Sequence, residues 1–147
     1  MADLSCFEDA WFDLVFNPVS NVFAEKIIPV WQEAARVLKP GGTLLLGFVN
    51  PLCFIFDLAD YESGKLTVGQ KIPYADNQDL KKEELKNLVT DENKPVCFGH
   101  TLHDQIQEKI DAGLVITGFF EDRMGEDDPL NGIIDVLIAT RAVKASL

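Results

Sequence analysis

Few side chains in this 147-residue sequence are spaced for chemistry. His100 and His103 stand three apart, with Asp104 adjacent. A zinc site needs a third convergent ligand and an open position. No other residue is spaced to supply one, so the reading is no metal. Cys6, Cys53 and Cys97 are odd in number and far apart. They make neither a zinc pattern nor a disulfide framework, and no Cys-His nucleophile pair can be assigned. Reduced, inert thiols in a cytoplasmic protein are expected. Glu126-Asp127-Asp128 is rich in oxygen, but Pro129 and the missing ligand spacing mark it as solvated surface rather than a calcium loop. Trp11 and Trp31 read as packing residues.

The elements that must position these groups follow from composition and pattern. The chain is 47% hydrophobic and carries 10 Phe and 2 Trp, enough for one packed domain over 1–147. Its 13 basic and 24 acidic residues give a net charge of −11. That balance argues against a nucleic-acid ligand or an anionic membrane surface. The N-terminus reads as no signal peptide, and no apolar run has the roughly 20 residues of a membrane helix.

Phe12-Asp13-Leu14-Val15-Phe16-Asn17 is a β-prone run closed by Pro18. Ile27, Val30, Trp31, Ala34, Val37 and Leu38 then recur with helical spacing. Pro29 fits if that helix starts near Ile28, where amides have no intrahelical acceptor. Lys39-Pro40-Gly41-Gly42 ends it. Thr43 to Val49 reads as a strand covered on both faces, stopped by Asn50-Pro51. Residues 51–98 are less regular and form a variable insertion or lid. Leu66 to Tyr74 is expected to hold a short strand. Gln78 to Val89 is expected to be a polar helix with Leu80, Leu85 and Leu88 inward, and Asp91 to Pro95 a loop. Thr101 caps a helix with Asp104 in the capping-box position, and Leu102, Ile106 and Ile110 share one face. Leu114 to Phe120 and Val136 to Arg141 read as a final antiparallel strand pair.

This order of events resembles the C-terminal portion of a class I S-adenosylmethionine-dependent methyltransferase. Phe7-Glu8-Asp9-Ala10-Trp11-Phe12-Asp13-Leu14-Val15 matches that family's PFEDxSFDLV approach to strand four. Arg36-Val37-Leu38-Lys39-Pro40-Gly41-Gly42-Thr43-Leu44 matches its RVLKPGGxL entry to strand five, and Asp111-Ala112-Gly113-Leu114 its AGF entry to the last strands. The resemblance implies an α/β fold, a partial Rossmann-like sheet with strands equivalent to 4, 5, 7 and 6. It implies S-adenosylmethionine as cofactor and a small-molecule methyl acceptor. It places Asp3 and Leu4 at the tail of an adenine-side motif. Asn17, Pro18 and Ser20 fall beside the methionine part of the cofactor, and Asn50 and His100 at the acceptor pocket.

The glycine-rich cofactor loop of the family has no counterpart, because the first of the ten glycines is Gly41. Strands one to three are likewise unmatched. Phe12–Asn17 is therefore expected to present an unpaired edge. On this reading the cofactor site of the chain alone is incomplete, and its activity alone is left open. The alternative is a non-catalytic half-domain that docks on a partner, or on a second copy, through that edge.

Overall fold

A computed structural model describes residues 2–90 and 95–146. In chain order the elements are β1 (Phe12–Pro18), α1 (Ile28–Val37), β2 (Leu38–Val49), α2 (Leu58–Glu62), β3 (Tyr74–Ala75), α3 (Asp76–Asp79), α4 (Lys82–Thr90), β4 (Phe98–Gly99), α5 (Glu108–Asp111), β5 (Leu114–Asp122) and β6 (Leu137–Lys144). Tighter 3₁₀ turns follow β1 at Ser20–Phe23 and β2 at Pro51–Ile55. A widened π-helical turn, His103–Gln107, leads into α5.

The main sheet has the order β1-β2-β6-β5, with β1 parallel to β2 and both later pairs antiparallel. This is the expected 4-5-7-6 arrangement with its last pair antiparallel. Helix α1 forms where the apolar spacing placed it. Ile27, Val30, Trp31, Ala34, Val37 and Leu38 are all essentially buried, each large side chain contributing roughly 1.5–3 kcal/mol. All of these except Val37, together with Ala35, Leu44, Leu46, Phe48, Leu114, Ile138 and Ala142, form the core between α1, α5 and one sheet face.

Five local expectations are corrected. The second strand starts at Leu38, not Thr43, because Leu38 turns extended (φ −74°, ψ 138°) straight after the helix. The Lys-Pro-Gly-Gly turn then bulges out of it. The partner of Phe12 is Leu38, while that of Leu14 is Thr43, and Gly41 takes the left-handed φ of +77°. Second, β2 is covered on one face only: Leu44, Leu46 and Phe48 are buried, whereas Leu45, Gly47 and Val49 are half-exposed. Third, the Leu66–Tyr74 strand shrinks to β3 plus a bridge between Phe56 and Val68. Fourth, the polar helix starts earlier and breaks at Leu80, whose ψ of 147° is extended. Leu80 is buried there; residues 91–94 of the expected loop lie outside the described residues.

The fifth correction concerns the helix after Thr101. The capping box forms as expected: Asp104 N–H donates to Thr101 Oγ1 at 3.0 Å, and Thr101 N–H to Asp104 Oδ2 at 3.1 Å. The π turn then rotates the following face. Leu102 and Ile110 end up about half exposed, while Gln105 and Lys109 are buried.

One edge and one face of the sheet are uncovered. Among the described residues β1 pairs only with β2, and Leu14 and Phe16 on it are 52% and 66% exposed. Phe119 and Phe120 at the other end of the sheet are also exposed, and Phe16, Leu45, Phe119 and Ala139 line a shallow groove across this open face. Isolated apolar exposures are ordinary, whereas a contiguous patch with a free strand edge marks a surface built to be covered.

Candidate functional site

The carboxyl ends of the parallel strands β1 and β2 are where an open α/β sheet binds ligands. Asn17, the penultimate residue of β1, is buried. Its Oδ1 accepts the backbone N–H and the hydroxyl of Ser20, which tightens the turn after Pro18. Pro18 itself is exposed in the last β1 position, paired with Gly47. Asn17 Nδ2 is buried without a hydrogen-bond partner among the described residues. Asn21 donates to Gln105 Oε1 at 2.9 Å, joining this turn to the π turn.

Of the other expected site residues, Asp3 and Leu4 lie elsewhere, whereas Asn50 and His100 stand beside the turns that follow β2 and β1. Leu4 donates its N–H to Glu33 and its carbonyl accepts from Arg36, on the last turns of α1. Asp3 is exposed, and the hydroxyl and N–H of Ser5 hold its carboxyl below the usual range. The structure does not bring Asp3 and Leu4 together with Asn17 and Ser20 at the far end of β1. Asn50 caps the turn after β2, its Oδ1 accepting from Leu52 N–H at 3.1 Å. His100 is buried; burial lowers its pKa, and its Nε2 lies 2.8 Å from the Ala24 carbonyl. A carbonyl only accepts, so Nε2 carries the hydrogen.

Above this rim lies a cavity of about 590 Å³, within the range of small-molecule sites. Its floor is Val22, Phe23 and Val49, from the turn after β1 and the end of β2. Met124 and Asp128 come from the β5–β6 loop, and the remaining walls from side chains between Cys53 and Leu88 together with Pro95 and Cys97. Neither Asn50 nor His100 lines it. Sequence patterning marked the region as a lid but singled out none of its aromatic side chains.

Two aromatic pairs shape the cavity. Phe54 stacks on Tyr74 with centroids 5.6 Å apart, and Phe56 on Tyr61 at 5.8 Å. Each tyrosine donates to an aspartate: Tyr74 Oη to Asp76 Oδ1 at 2.8 Å, and Tyr61 Oη to Asp128 Oδ1 at 2.8 Å. Cys97 N–H donates to Asp76 Oδ2 at 2.7 Å, fixing that carboxylate beside the β3–β4 pair. Burial, reinforced by Asp128, pushes the Cys53 thiol up to about 12; burial and Asp76 push Cys97 up to about 11. Both thiols are therefore protonated and unreactive at neutral pH.

Gly99 lets this wall close. A Cβ there would sit 2.7 Å from Phe54 Cγ. Gly99→Ala is therefore expected to push Phe54 into the cavity and destabilise the fold by about 1–3 kcal/mol, measurable as a lowered urea midpoint. An unchanged midpoint would show that the ring yields freely.

Away from the cavity, His103, Asp104 and Glu108 bring potential metal ligands within 4.8 Å of one another. Glu108 was missed in sequence because helical i, i+4 spacing does not reach it; the π turn places it 3.8 Å from His103. His103 is exposed, Asp104 serves the capping box, and no metal role is assigned.

Residues 1–46 match a family model described as a methyltransferase domain. Over 144 residues the chain is 49% identical to "Uncharacterized methyltransferase YbaJ" of Bacillus subtilis (strain 168). That match covers 98% of this chain and 55% of the relative, so the chain spans little more than half of its length. An S-adenosylmethionine dependent methyltransferase from Mesorhizobium loti superposes with a TM-score of 0.64 at 12% identity, over 93% of this chain and 63% of that one. A SAM-dependent methyltransferase from Methanosarcina mazei gives 0.56 at 16% identity, over 99% and 65%.

Proposed function

We propose that this chain is the C-terminal portion of a class I methyltransferase, to which it is similar, and that it forms the acceptor-binding side of an S-adenosylmethionine-dependent enzyme acting on a small molecule. The observation that carries this reading is the cavity over the carboxyl ends of β1 and β2, walled by Phe54, Phe56, Tyr61, Tyr74 and Leu80 among others.

The residues present fit one wall of a cofactor cleft. Asn17 Nδ2 is a buried donor in want of an acceptor at the end of β1, and the outer edge of β1 is free to take a neighbouring strand. The glycine-rich wall has no counterpart among these residues. When bound, S-adenosylmethionine supplies a methyl group on a sulfonium, activated for displacement. The chain's own part is positioning. The cavity walls hold and orient the acceptor and exclude water, which is where most of the acceleration of such a transfer originates. The absence of an acid–base triad is therefore compatible with the reaction.

Calorimetric titration with S-adenosylmethionine tests this. The chain is titrated alone and after mixing with a polypeptide corresponding to the part of the B. subtilis relative outside the match. Affinity is expected to be at least about tenfold higher in the mixture. Equal or undetectable binding in both samples would overturn the reading. A stable dimer of the chain alone would instead favour a second copy on the β1 edge.

A further inference from the structure

The charge of the cavity wall is one-sided. Its described lining residues include Glu62, Asp76 and Asp128 and no lysine, arginine or histidine. Asp76 is 8% exposed, and its contacts are a tyrosine hydroxyl and a backbone N–H. Asp128 accepts from the Tyr61 hydroxyl with both oxygens and from Leu130 N–H at 2.9 Å. The hydroxyl and N–H groups that donate to these two carboxyl groups are all neutral. Neither aspartate forms an ion pair among the described residues.

A carboxylate held away from water without a cation is costly, and neutral donors offset only part of that. The two sites repeat one construction: Phe54, Tyr74 and Asp76 in one, Phe56, Tyr61 and Asp128 in the other. Each combines an aromatic face, attractive to a cation, with an unpaired negative group. An anionic acceptor would meet repulsion and no charged donor. The protonated thiols of Cys53 and Cys97 are neutral and supply no counter-charge.

We propose that this cavity selects an apolar molecule bearing an amine, its ammonium form neutralised by Asp76 and Asp128 and its body packed on the Phe–Tyr pairs. This rests on the reading of the cavity as the acceptor site and narrows the acceptor class.

The test is equilibrium binding to the intact chain of three matched probes: phenethylamine, 2-phenylethanol and phenylacetate. Chemical-shift changes are followed up to about 10 mM probe, the range of weak fragment affinities. The amine is expected to bind at least about tenfold more tightly than the alcohol, and the acid weakest. Asp128→Asn should lower the preference for the amine several-fold while leaving the alcohol unchanged. Asp76→Asn should do the same, with Asp128→Asn as the deciding variant if Asp76→Asn fails to fold. Equal binding of amine and alcohol, stronger binding of the acid, or no binding of any probe would overturn the proposal. Amine selectivity in a protein that never binds S-adenosylmethionine would count against the methyltransferase reading alone; cofactor binding without amine selectivity would count against this inference alone.

Discussion

Lys109→Met is expected to stabilise the fold at neutral pH and to abolish a rise in stability that the parent shows in mild alkali. Lys109 is 0% exposed. Its Nζ donates to Thr140 Oγ1 at 2.8 Å and lies 5.4 Å from the Trp31 ring and 5.3 Å from that of Phe48. It forms no ion pair among the described residues. Burial lowers its pKa to about 8, against about 10.4 for the unfolded side chain. Below pH 8 both states are protonated, and the folded state carries the full cost of a buried ammonium. Between the two values the unfolded chain binds a proton that the folded one does not, so stability rises with pH, by about 3 kcal/mol in total. Methionine removes the ammonium but also its bond to Thr140. A net gain of about 1–3 kcal/mol at pH 7 is expected, shrinking toward pH 10. Urea midpoints at pH 7, 9 and 10 measure it. Parallel pH dependence in the parent and the variant would show that Lys109 is solvated in the folded protein.

Trp31→Ala is expected to cost about 3–5 kcal/mol, much of the 5–15 kcal/mol typical of a domain. Trp31 is 0% exposed at the centre of the core. Its Nε1 donates to the Asp104 carbonyl at 2.7 Å, tying α1 to the π turn. The truncation leaves a cavity, orphans that carbonyl and removes one of the two rings beside Lys109. Trp31→Phe retains most of the apolar contact and loses the hydrogen bond, so it should fall between, with about 1–2 kcal/mol attributable to that bond. Denaturant unfolding of both variants orders them. An alanine variant within about 1 kcal/mol of the parent would mean that the sheet, and not α1, holds the core together. Combining Trp31→Phe with Lys109→Met should give a non-additive total, because the two side chains share a contact.

The two substitutions also show which parts of the protein are written locally. Trp31 was identifiable as a packing residue because α1 follows regular helical periodicity from Ile27 to Leu38, and every position of that stripe is buried. Lys109 was not identifiable. Regular helical spacing from Leu102 put Ile106 and Ile110 inward; Ile106 does pack against the core, but the π turn at His103–Gln107 leaves Ile110 about half exposed and buries a glutamine and a lysine. The same widening brought Glu108 to His103. A one-residue change in helical pitch leaves no mark on composition, yet it reassigns every later position on the helix.

What the sequence determined by itself was the order of elements, the Lys-Pro-Gly-Gly turn, the capping box and the family. Each depends on contacts between near neighbours or on short motifs. What only the tertiary structure decided was the site. Phe54, Phe56, Tyr61, Tyr74, Asp76 and Asp128 are spread over 75 residues of chain, and they converge because the Pro51–Ile55 turn, the β3–β4 pair and the β5–β6 loop all close over the ends of β1 and β2. No periodicity records such a meeting. It follows from long-range packing, in which a tyrosine finds its aspartate 67 residues away.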